Sequence, residues 1–278
     1  MIRIAINGFG RIGRNFLRTL LQDPHARNKV DIVAINLGPA KKEFTAHMFT
    51  YDTLMGTYHG SVALEGNELV IDGKRIQLLT ELDPVKLPWK SLNIDWVVEC
   101  TGHFTKREGA SKHLQAGAQY VLISAPAHDE DVSIIPGVND AMFNASKHKI
   151  VSLGSCTTNA VLTMLKVLHD TFTIERSFMT TVHAYTNSQV LLDVEAKDLR
   201  RSRAAAVNII PTTTGAMNVM GKVIPDLAGC VEAIAIRVPV TKVSLIDLTI
   251  ITKESLTVDA INAAFTKAAH GPMKGILA

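Results

Sequence analysis

One cysteine stands where a nucleophile would be activated. Cys156 follows an apolar, strand-like run over 149–153 and opens a helical pattern, so its thiol would lie at the positive end of a helix dipole. That position lowers the pKa of a thiol and favours the nucleophilic thiolate. Ser155 and Thr157 flank it with hydroxyls that can cap the helix or bind an anion. By itself, such a cysteine is as often a packed apolar residue as a nucleophile, so a base is needed beside it.

A histidine at the end of a strand pattern is the best candidate for that base. His183 ends the run 178–182 and opens the polar stretch 184–189. A Cys–His pair would give an activated nucleophile for covalent catalysis, whereas the alternative is a histidine that is merely hydrogen-bonded at a strand end. The 10 histidines show neither an HExxH motif nor a paired ligand spacing, so we predict no metal site.

Basic and hydroxyl-bearing residues downstream indicate an anion site. Arg237 lies inside an apolar strand pattern, where an arginine needs an anionic partner. Arg201 belongs to a compact basic cluster, and Thr214 and Gly215 belong to a hydroxyl-rich turn. The cluster is equally explained by a solvated face or an interface network of ion pairs. The net charge of +3 is compatible with a small anionic ligand.

A glycine-rich turn near the N-terminus predicts a dinucleotide site. Gly8, Gly10 and Gly13 form a G-x-G-x-x-G motif between a β-branched run and a helical pattern, which is the context that the dinucleotide fingerprint requires. Gly8 permits the tight turn, Gly10 lets the backbone approach a pyrophosphate, and Gly13 lets helix and strand pack closely. The helix N-terminus then attracts the phosphates. A structural turn that happens to be rich in glycine is the alternative.

The second strand pattern ends without the carboxylate that usually binds the adenosine ribose. Asn36 and Leu37 occupy that tip instead. Without the negative charge, a 2′-phosphate would meet less repulsion, so a dinucleotide cofactor with a strict preference for NAD over NADP is not expected. Lys41 or Lys42 would attract such a phosphate, although a solvated loop explains both lysines better.

The chain needs two kinds of domain to position these residues. Its first half alternates continuous apolar strands with helical patterns, which is typical of a parallel sheet covered on both faces. Its second half contains longer strand patterns at 178–182, 233–238 and 243–252, which suit a mostly antiparallel sheet in an α+β domain. We therefore predict an α/β protein with a Rossmann-type dinucleotide-binding domain over 1–154 and a catalytic domain over 155–278.

Composition excludes several classes of protein. With 47% hydrophobic and 20% charged residues, the chain of 278 residues is folded rather than disordered. An aromatic content of 5% argues against a stacking surface for single-stranded nucleic acid. No apolar run reaches the roughly 20 residues of a membrane span. The three cysteines are far apart and form no disulfide framework, which fits a reduced, cytoplasmic location.

Several of these segments, taken in order, resemble the phosphorylating glyceraldehyde-3-phosphate dehydrogenase family. The likeness runs over essentially the whole chain, in segments 7–14, 99–102, 124–126, 155–159, 182–187, 198–201 and 237–239. It implies an NAD(P)-dependent oxidoreductase of glycolysis or gluconeogenesis that converts glyceraldehyde 3-phosphate and inorganic phosphate to 1,3-bisphosphoglycerate. It also implies a cytoplasmic homotetramer, assembled partly through the loop at about 191–211.

The resemblance implies a role for each matched residue. Cys156 would form a thiohemiacetal and then a thioester, with His183 as the base and oxyanion donor. Thr186 and Arg237 would hold the substrate phosphate. The remaining substrate and phosphate ligands would be Ser155, Thr157, Arg201, Thr214 and Gly215. The cofactor would contact Gly8, Phe9, Gly10, Arg11, Ile12, Asn36, Thr101, Gly102 and Ser124.

The sequence departs from the family pattern around the adenosine. Leu37 stands where the family usually has the ribose-binding aspartate, and Leu82 replaces an arginine that is often found near the adenine. Both changes predict altered adenosine contacts. Glu195, in the loop after His183, would oppose a 2′-phosphate by bringing negative charge near the same ribose.

Family members normally continue well past 275–278. The resemblance therefore implies that the chain is either a fragment or a truncated homologue that lacks the last strands of the catalytic sheet. Two other functions compete with the first. One is erythrose-4-phosphate dehydrogenase activity on the same scaffold. The other is a non-catalytic cofactor- or RNA-binding homologue, against which the Cys156–His183 pair argues; no basic stripe interleaved with aromatic residues supports RNA binding.

Overall fold

The computed structural model describes residues 1–278, which divide into two compact units. The first unit comprises Met1–Ser133 and Phe143–Leu153, and the second comprises Ile134–Met142 and Gly154–Ala278. The predicted division after residue 154 differs from this one by a single residue, Gly154, and at 134–142, where Ile135 packs in the hydrophobic core of the second unit. The assignment of one unit to the dinucleotide and the other to catalysis stays a prediction.

The first unit contains eleven strands and four α-helices. The strands are β1 Ile2–Asn7, β2 Val30–Asn36, β3 Tyr51–Asp52, β4 Gly56–Thr57, β5 Val62–Glu65, β6 Glu68–Ile71, β7 Lys74–Leu79, β8 Trp96–Glu99, β9 Tyr120–Ile123, β10 Val132–Ser133 and β11 Ile150–Ser152. The helices are α1 Arg11–Gln22, α2 Pro24–Arg27, α3 Thr45–Thr50 and α4 Arg107–Gln115.

Nine of these strands form one sheet in the order β10-β11-β9-β8-β1-β2-β7-β6-β5. From β10 to β7 all neighbours are parallel, and β7, β6 and β5 are antiparallel. The predicted Rossmann-type α/β class is therefore confirmed. Since β2 lies on one side of β1 and β8 on the other, the loops after these strands diverge, and such a switch point is where parallel sheets bind dinucleotides.

Helix α1 covers the sheet beside β1. Its apolar residues recur at helical spacing, so Leu17 and Leu20 face the sheet and pack in one buried cluster with Ile6, Ile32 and Ile35. Burying each such side chain stabilises the fold by about 1.5–3 kcal/mol. This packing holds the start of α1 against the end of β1, which is where the glycine turn lies.

The second unit contains a four-stranded sheet and three α-helices. Its elements are α5 Cys156–Phe172, β12 Ile174–Ala184, β13 Ile210–Thr212, α6 Met220–Val223, β14 Val231–Val238, β15 Ser244–Thr252 and α7 Val258–His270. The sheet order is β13-β14-β12-β15. The β12–β15 and β13–β14 pairs are antiparallel, as expected for this domain, and the central β12–β14 pair is parallel.

Helix α5 packs on this sheet through Leu162, Leu165 and Leu168, which share a buried cluster with Met179 of β12. Its first turn is thereby fixed near the carboxyl end of β12. None of the helices combines the length and apolar character needed to span a bilayer.

Candidate active site

Cys156 is the first residue of α5. Ser155 caps this helix, since its hydroxyl accepts the backbone N–H of Thr158 at 3.0 Å. Cys156 is exposed, so a small molecule can reach its sulfur. The aligned amide dipoles of the first turn give the position a partial positive charge that favours a thiolate.

The thiol of Cys156 and the ring of His183 are in contact. Cys156 Sγ lies 3.3 Å from His183 Nε2, and His183 Nδ1 lies 2.6 Å from the carbonyl oxygen of Ala184. Because a carbonyl only accepts hydrogen bonds, we assign the proton of the neutral ring to Nδ1. Nε2 then offers its lone pair to the thiol, which is the orientation that a general base requires.

The ionisation of the two groups is coupled. The hydrogen bond from His183 lowers the pKa of Cys156, and burial acts against it; the charge of His183 and hydrogen bonds from Thr157 lower the pKa further. The hydrogen bond to Cys156 raises the pKa of His183, while burial and the charge of Arg237 oppose the rise. The lowered pKa of Cys156 and the raised pKa of His183 both favour transfer of the thiol proton to the imidazole, giving a thiolate–imidazolium pair.

The parallel pairing of β12 and β14 places an arginine beside the histidine. His183 is directly opposite Arg237, so both side chains lie on the same face of the sheet. Arg237 Nη1 donates to the carbonyl of Ala184 at 3.0 Å and to Thr186 Oγ1 at 3.2 Å. Thr186 Oγ1 also lies 3.0 Å from Ser188 Oγ. The sequence did not single out Ser188 as a site residue, although it belongs to the same polar stretch as Thr186.

A second arginine lies near the first. Burial lowers the pKa of Arg237, and the charge of Arg201 lowers it further. Arg201 Nε donates to Thr212 Oγ1 at 2.9 Å, and Thr212 Oγ1 donates to Asp198 Oδ2 at 3.2 Å. The Nε atom of Arg237 is buried without a partner. An anion bound here would satisfy that donor and relieve the repulsion between the two guanidinium groups.

The predicted phosphate turn is not hydrogen-bonded to this set. Thr214 Oγ1 accepts the backbone N–H of Ala216 at 3.2 Å, and no hydrogen bond joins Thr214 or Gly215 to Cys156 or Arg237. Thr157 is buried under Cys156 and contacts it. No group of three or more His, Cys, Asp or Glu side chains is placed to hold a metal ion.

The glycine turn of the first unit has the shape that a pyrophosphate needs. Gly8 has a φ of +92°, and a Cβ there would lie 2.7 Å from the Thr101 side chain, while a Cβ on Gly13 would lie 2.2 Å from the Gly8 carbonyl. A Cβ on Gly10 would meet nothing within 4 Å, so that side of the turn is open. No side chain caps α1 at Gly10, and its first N–H groups therefore remain free for an anion.

A cavity of about 370 Å³ opens beside this turn. The loops after β1, β2 and β8 form much of its wall. Its lining includes Gly8, Phe9, Gly10, Leu37, Gly38, Lys41, Cys100, Thr101 and His103. Loops at the carboxyl ends of neighbouring parallel strands are where dinucleotides bind, so these residues fit the predicted cofactor.

The predicted cofactor residues differ in what they can offer. Arg11 forms an ion pair with Asp52, so at the start of α1 it could offer a phosphate only its backbone N–H, as could the exposed Ile12. The Thr101 hydroxyl donates a hydrogen bond to the Glu99 carboxylate, and Ser124 Oγ donates to the Glu99 carbonyl at 2.9 Å. These two residues, with Gly102 at a φ of +74°, shape the loop after β8.

Asn36 requires a correction. We expected its side chain to hydrogen-bond the cofactor, but it is 3% exposed and its Nδ2 group donates to Asn7 Oδ1 at 2.7 Å and to the Glu81 carbonyl at 2.9 Å. Both donors are therefore used inside the protein. Leu37, by contrast, lines the cavity, as does Lys41. Lys42 donates instead to Asn67, so it is directed to another loop.

Comparison with known proteins matches both parts of the chain to one family. Residues 2–107 match the family description "Glyceraldehyde 3-phosphate dehydrogenase, NAD binding domain", and residues 155–278 match the corresponding C-terminal domain. The chain is 47% identical over 276 residues to glyceraldehyde-3-phosphate dehydrogenase 1 of Bacillus subtilis, covering 99% of this chain and 81% of that protein.

Other relatives give the same result. The glyceraldehyde-3-phosphate dehydrogenase of Geobacillus stearothermophilus is 47% identical over 277 residues, covering 100% of this chain and 81% of that protein. The chloroplastic glyceraldehyde-3-phosphate dehydrogenase A of Chlamydomonas reinhardtii is 46% identical over 280 residues, covering 99% of this chain and 73% of that protein. With both family domains matched and nearly half of the residues shared with these relatives, the chain belongs to the glyceraldehyde-3-phosphate dehydrogenase family.

Proposed function

We propose that this protein is a glycolytic, NAD-dependent glyceraldehyde-3-phosphate dehydrogenase that works through a thioester on Cys156. The contact of 3.3 Å between Cys156 Sγ and His183 Nε2 carries the proposal, because it supplies a nucleophile and a base in one place. The position of Arg237 opposite His183 adds a cation for the substrate phosphate.

The first step uses the thiolate of Cys156. It attacks the aldehyde carbon, and the imidazolium of His183 first hydrogen-bonds the oxygen that gains negative charge and then gives it the Nε2 proton, which leaves the imidazole neutral. Arg237 and Thr186 hold the phosphate at the other end of the substrate, which fixes the aldehyde against the sulfur. The product of this step is a thiohemiacetal on Cys156.

The second step forms the thioester. His183 Nε2 accepts the hydroxyl proton of the thiohemiacetal as the carbon loses hydride. Bound NAD would supply the acceptor for that hydride. Gly8, Gly10 and the first N–H groups of α1 would hold its pyrophosphate, and Phe9, Thr101, Gly102 and Ser124 would line or shape its site.

The third step releases the product. Inorganic phosphate attacks the thioester carbonyl, the Cys156 sulfur leaves, and an acyl phosphate forms. Ser155, Thr157, Arg201, Thr214 and Gly215 are the proposed ligands of that phosphate. Arg201 fits this part because its Nε is anchored to Thr212 and its charge acts on Arg237.

Trapping of the acyl-enzyme tests this function. Purified protein mixed with glyceraldehyde 3-phosphate and NAD, without phosphate, is expected to gain the mass of a phosphoglyceryl group on Cys156, and added phosphate should remove it. Cys156→Ser is the matched control. Absence of an adduct despite bound NAD would support a non-catalytic homologue, and faster turnover with erythrose 4-phosphate would assign the other substrate.

At the adenosine end of the cavity, we propose that NADP is accepted as a weaker alternative to NAD. Leu37 lines the cavity where a carboxylate would repel a 2′-phosphate, and Lys41 lines it as well. Leu37→Asp should raise the ratio of NAD to NADP affinity about tenfold, since it places like charges together. Calorimetric titration with both cofactors measures the ratio, and Leu37→Ala separates the charge from the lost packing. An unchanged ratio would contradict the proposal.

We also propose that the protein is a cytoplasmic homotetramer. The loop after β12 exposes Leu191, Leu192, Leu199 and Ile209, and such apolar surface is typical of a subunit interface. The three cysteines are free, which suits a reducing compartment. Light scattering on purified protein should give the mass of four chains of 30.2 kDa; a monomer at micromolar concentration would contradict this assembly.

A further inference from the structure

A row of three buried polar side chains lies across the carboxyl ends of β8, β1 and β2. Glu99, Asn7 and Asn36 are the last residues of these strands and are paired in register. Each is at most 3% exposed. Asn36 Nδ2 donates to Asn7 Oδ1 at 2.7 Å, and Asn7 Nδ2 donates to Glu99 Oε2 at 2.5 Å. The row is thus one continuous hydrogen-bonded chain.

The carboxylate of Glu99 ends this chain and accepts further hydrogen bonds. Its Oε1 atom accepts the backbone N–H of Thr101 at 2.7 Å and also the Thr101 hydroxyl. Its Oε2 atom accepts from Asn7 and lies 3.3 Å from His113 Nε2. Four donors therefore surround a carboxylate that water does not reach, which is what a buried acid requires.

Trp89 fixes the orientation of His113. The indole Nε1–H can only donate, and it lies 3.0 Å from His113 Nδ1, so that ring nitrogen accepts. The ring proton is then on Nε2, facing Glu99. Because both ring nitrogens are engaged and His113 is fully buried, the ring is held with its Nε2–H facing Glu99.

The row connects the loops that form the cofactor cavity. Gly8, Leu37 and Cys100 follow Asn7, Asn36 and Glu99 directly, and all three of these following residues line the cavity. None of the row residues lines it. The backbone repeats the same links, since Gly8 N donates to Asn36 O and Cys100 N donates to Asn7 O, each at 2.8 Å. The row therefore sets the spacing of the loops without touching a ligand.

We propose that Glu99, oriented by His113 and Trp89, is a positioning residue for NAD binding. Through Asn7 and Thr101 it fixes the two loops whose backbone faces the cofactor. This inference rests on the proposed occupation of the cavity by NAD. Glu99 acts through its neighbours, since preorganised loops lose less freedom when a ligand binds.

Glu99→Gln tests the proposal with a change of nearly constant size. Its amide group places a donor where protein donors already point, so at least one hydrogen bond to Asn7, Thr101 or His113 is lost. The Kd for NAD, measured by calorimetry, should rise about tenfold. The alkylation rate of Cys156 in the absence of cofactor should stay unchanged, because Cys156 belongs to the other unit.

Two substitutions at His113 separate positioning from packing. His113→Gln keeps one donor and one acceptor, whereas His113→Leu keeps only the bulk. The proposal expects weak NAD binding by His113→Leu and recovery of most of the affinity by His113→Gln. Equal affinity of the two variants would show that only volume matters and would overturn the inference. Should His113→Leu fail to fold, Trp89→Phe removes the indole N–H together with part of the buried ring, and it should raise the Kd by a smaller factor.

A control variant accounts for lost stability. Ile76→Val shortens a fully buried side chain of β7 away from the cavity, so it should lower the unfolding temperature and leave the Kd for NAD unchanged. If the unaltered protein fails to bind NAD, the proposed function falls together with this inference. If it binds NAD and Glu99→Gln binds equally well, only the inference is overturned.

Discussion

The starts of α1 and α5 are built in opposite ways from similar parts. Each helix follows a strand of the first unit's sheet and a glycine-containing turn, but α1 begins at Gly10 without a side-chain cap, whereas α5 begins under the hydroxyl of Ser155. The uncapped end leaves N–H groups free to bind an anion. At the capped end, the helix dipole stabilises the negative charge of the Cys156 thiolate, which belongs to the chain itself. One end is therefore a binding site, and the other is an activating site.

The largest effect expected from this contrast follows from removing the sulfur. Cys156→Ser should lower kcat by about four orders of magnitude or more, because a hydroxyl at this position is not ionised. NAD affinity should not change, since the start of α1 is intact. Steady-state rates and calorimetry on the same preparation measure both quantities. A large loss of NAD binding would contradict the separation of roles.

Removal of the base is the next largest change. His183→Asn should lower kcat by about 10²–10⁴-fold. The hydrogen bond from His183 lowers the pKa of Cys156, so its loss should raise that pKa. The pH profile of iodoacetamide alkylation should accordingly move to higher pH, and an unmoved profile would assign the low thiol pKa to the helix alone.

Two glycine substitutions sharpen the description of the open helix end. Gly10→Ala adds a methyl group where nothing lies within 4 Å, so the protein should fold normally and bind NAD about tenfold more weakly. Gly13→Ala places the methyl group 2.2 Å from the Gly8 carbonyl and should cost about 1–3 kcal/mol of stability. Chemical denaturation and NAD titration distinguish them. Weak binding by Gly13→Ala alone would argue against backbone contact at Gly10.

The smallest effect belongs to the cap of α5. Ser155→Ala removes the acceptor for the Thr158 N–H and should cost about 1 kcal/mol of unfolding free energy. The alkylation profile of Cys156 should keep its shape, because His183 is unaffected. Ser155→Thr, which keeps a hydroxyl, serves as the control. A shift of the alkylation profile by Ser155→Ala that is larger than the shift by His183→Asn would reverse the ranking of cap and base.

The sequence could predict features that depend on neighbouring residues. Cys156 at a helix start, His183 at a strand end and the glycine turn all follow from local patterns of apolar and polar residues. The prediction for Asn36 failed because its partner Glu81 is 45 residues away and nothing local signals the contact. The position of Arg237 beside His183 depends on a parallel strand pair in a sheet expected to be mostly antiparallel.

Ionisation of Cys156 at neutral pH is the central claim. The ultraviolet absorbance of its thiolate, taken as the difference between the unaltered protein and Cys156→Ser, measures it directly. Cys100 does not interfere, because burial raises the pKa of its thiol to about 11. The difference absorbance should appear well below the pKa of about 8.5 that a free cysteine has. Absorbance that rises only at or above that value would contradict the account.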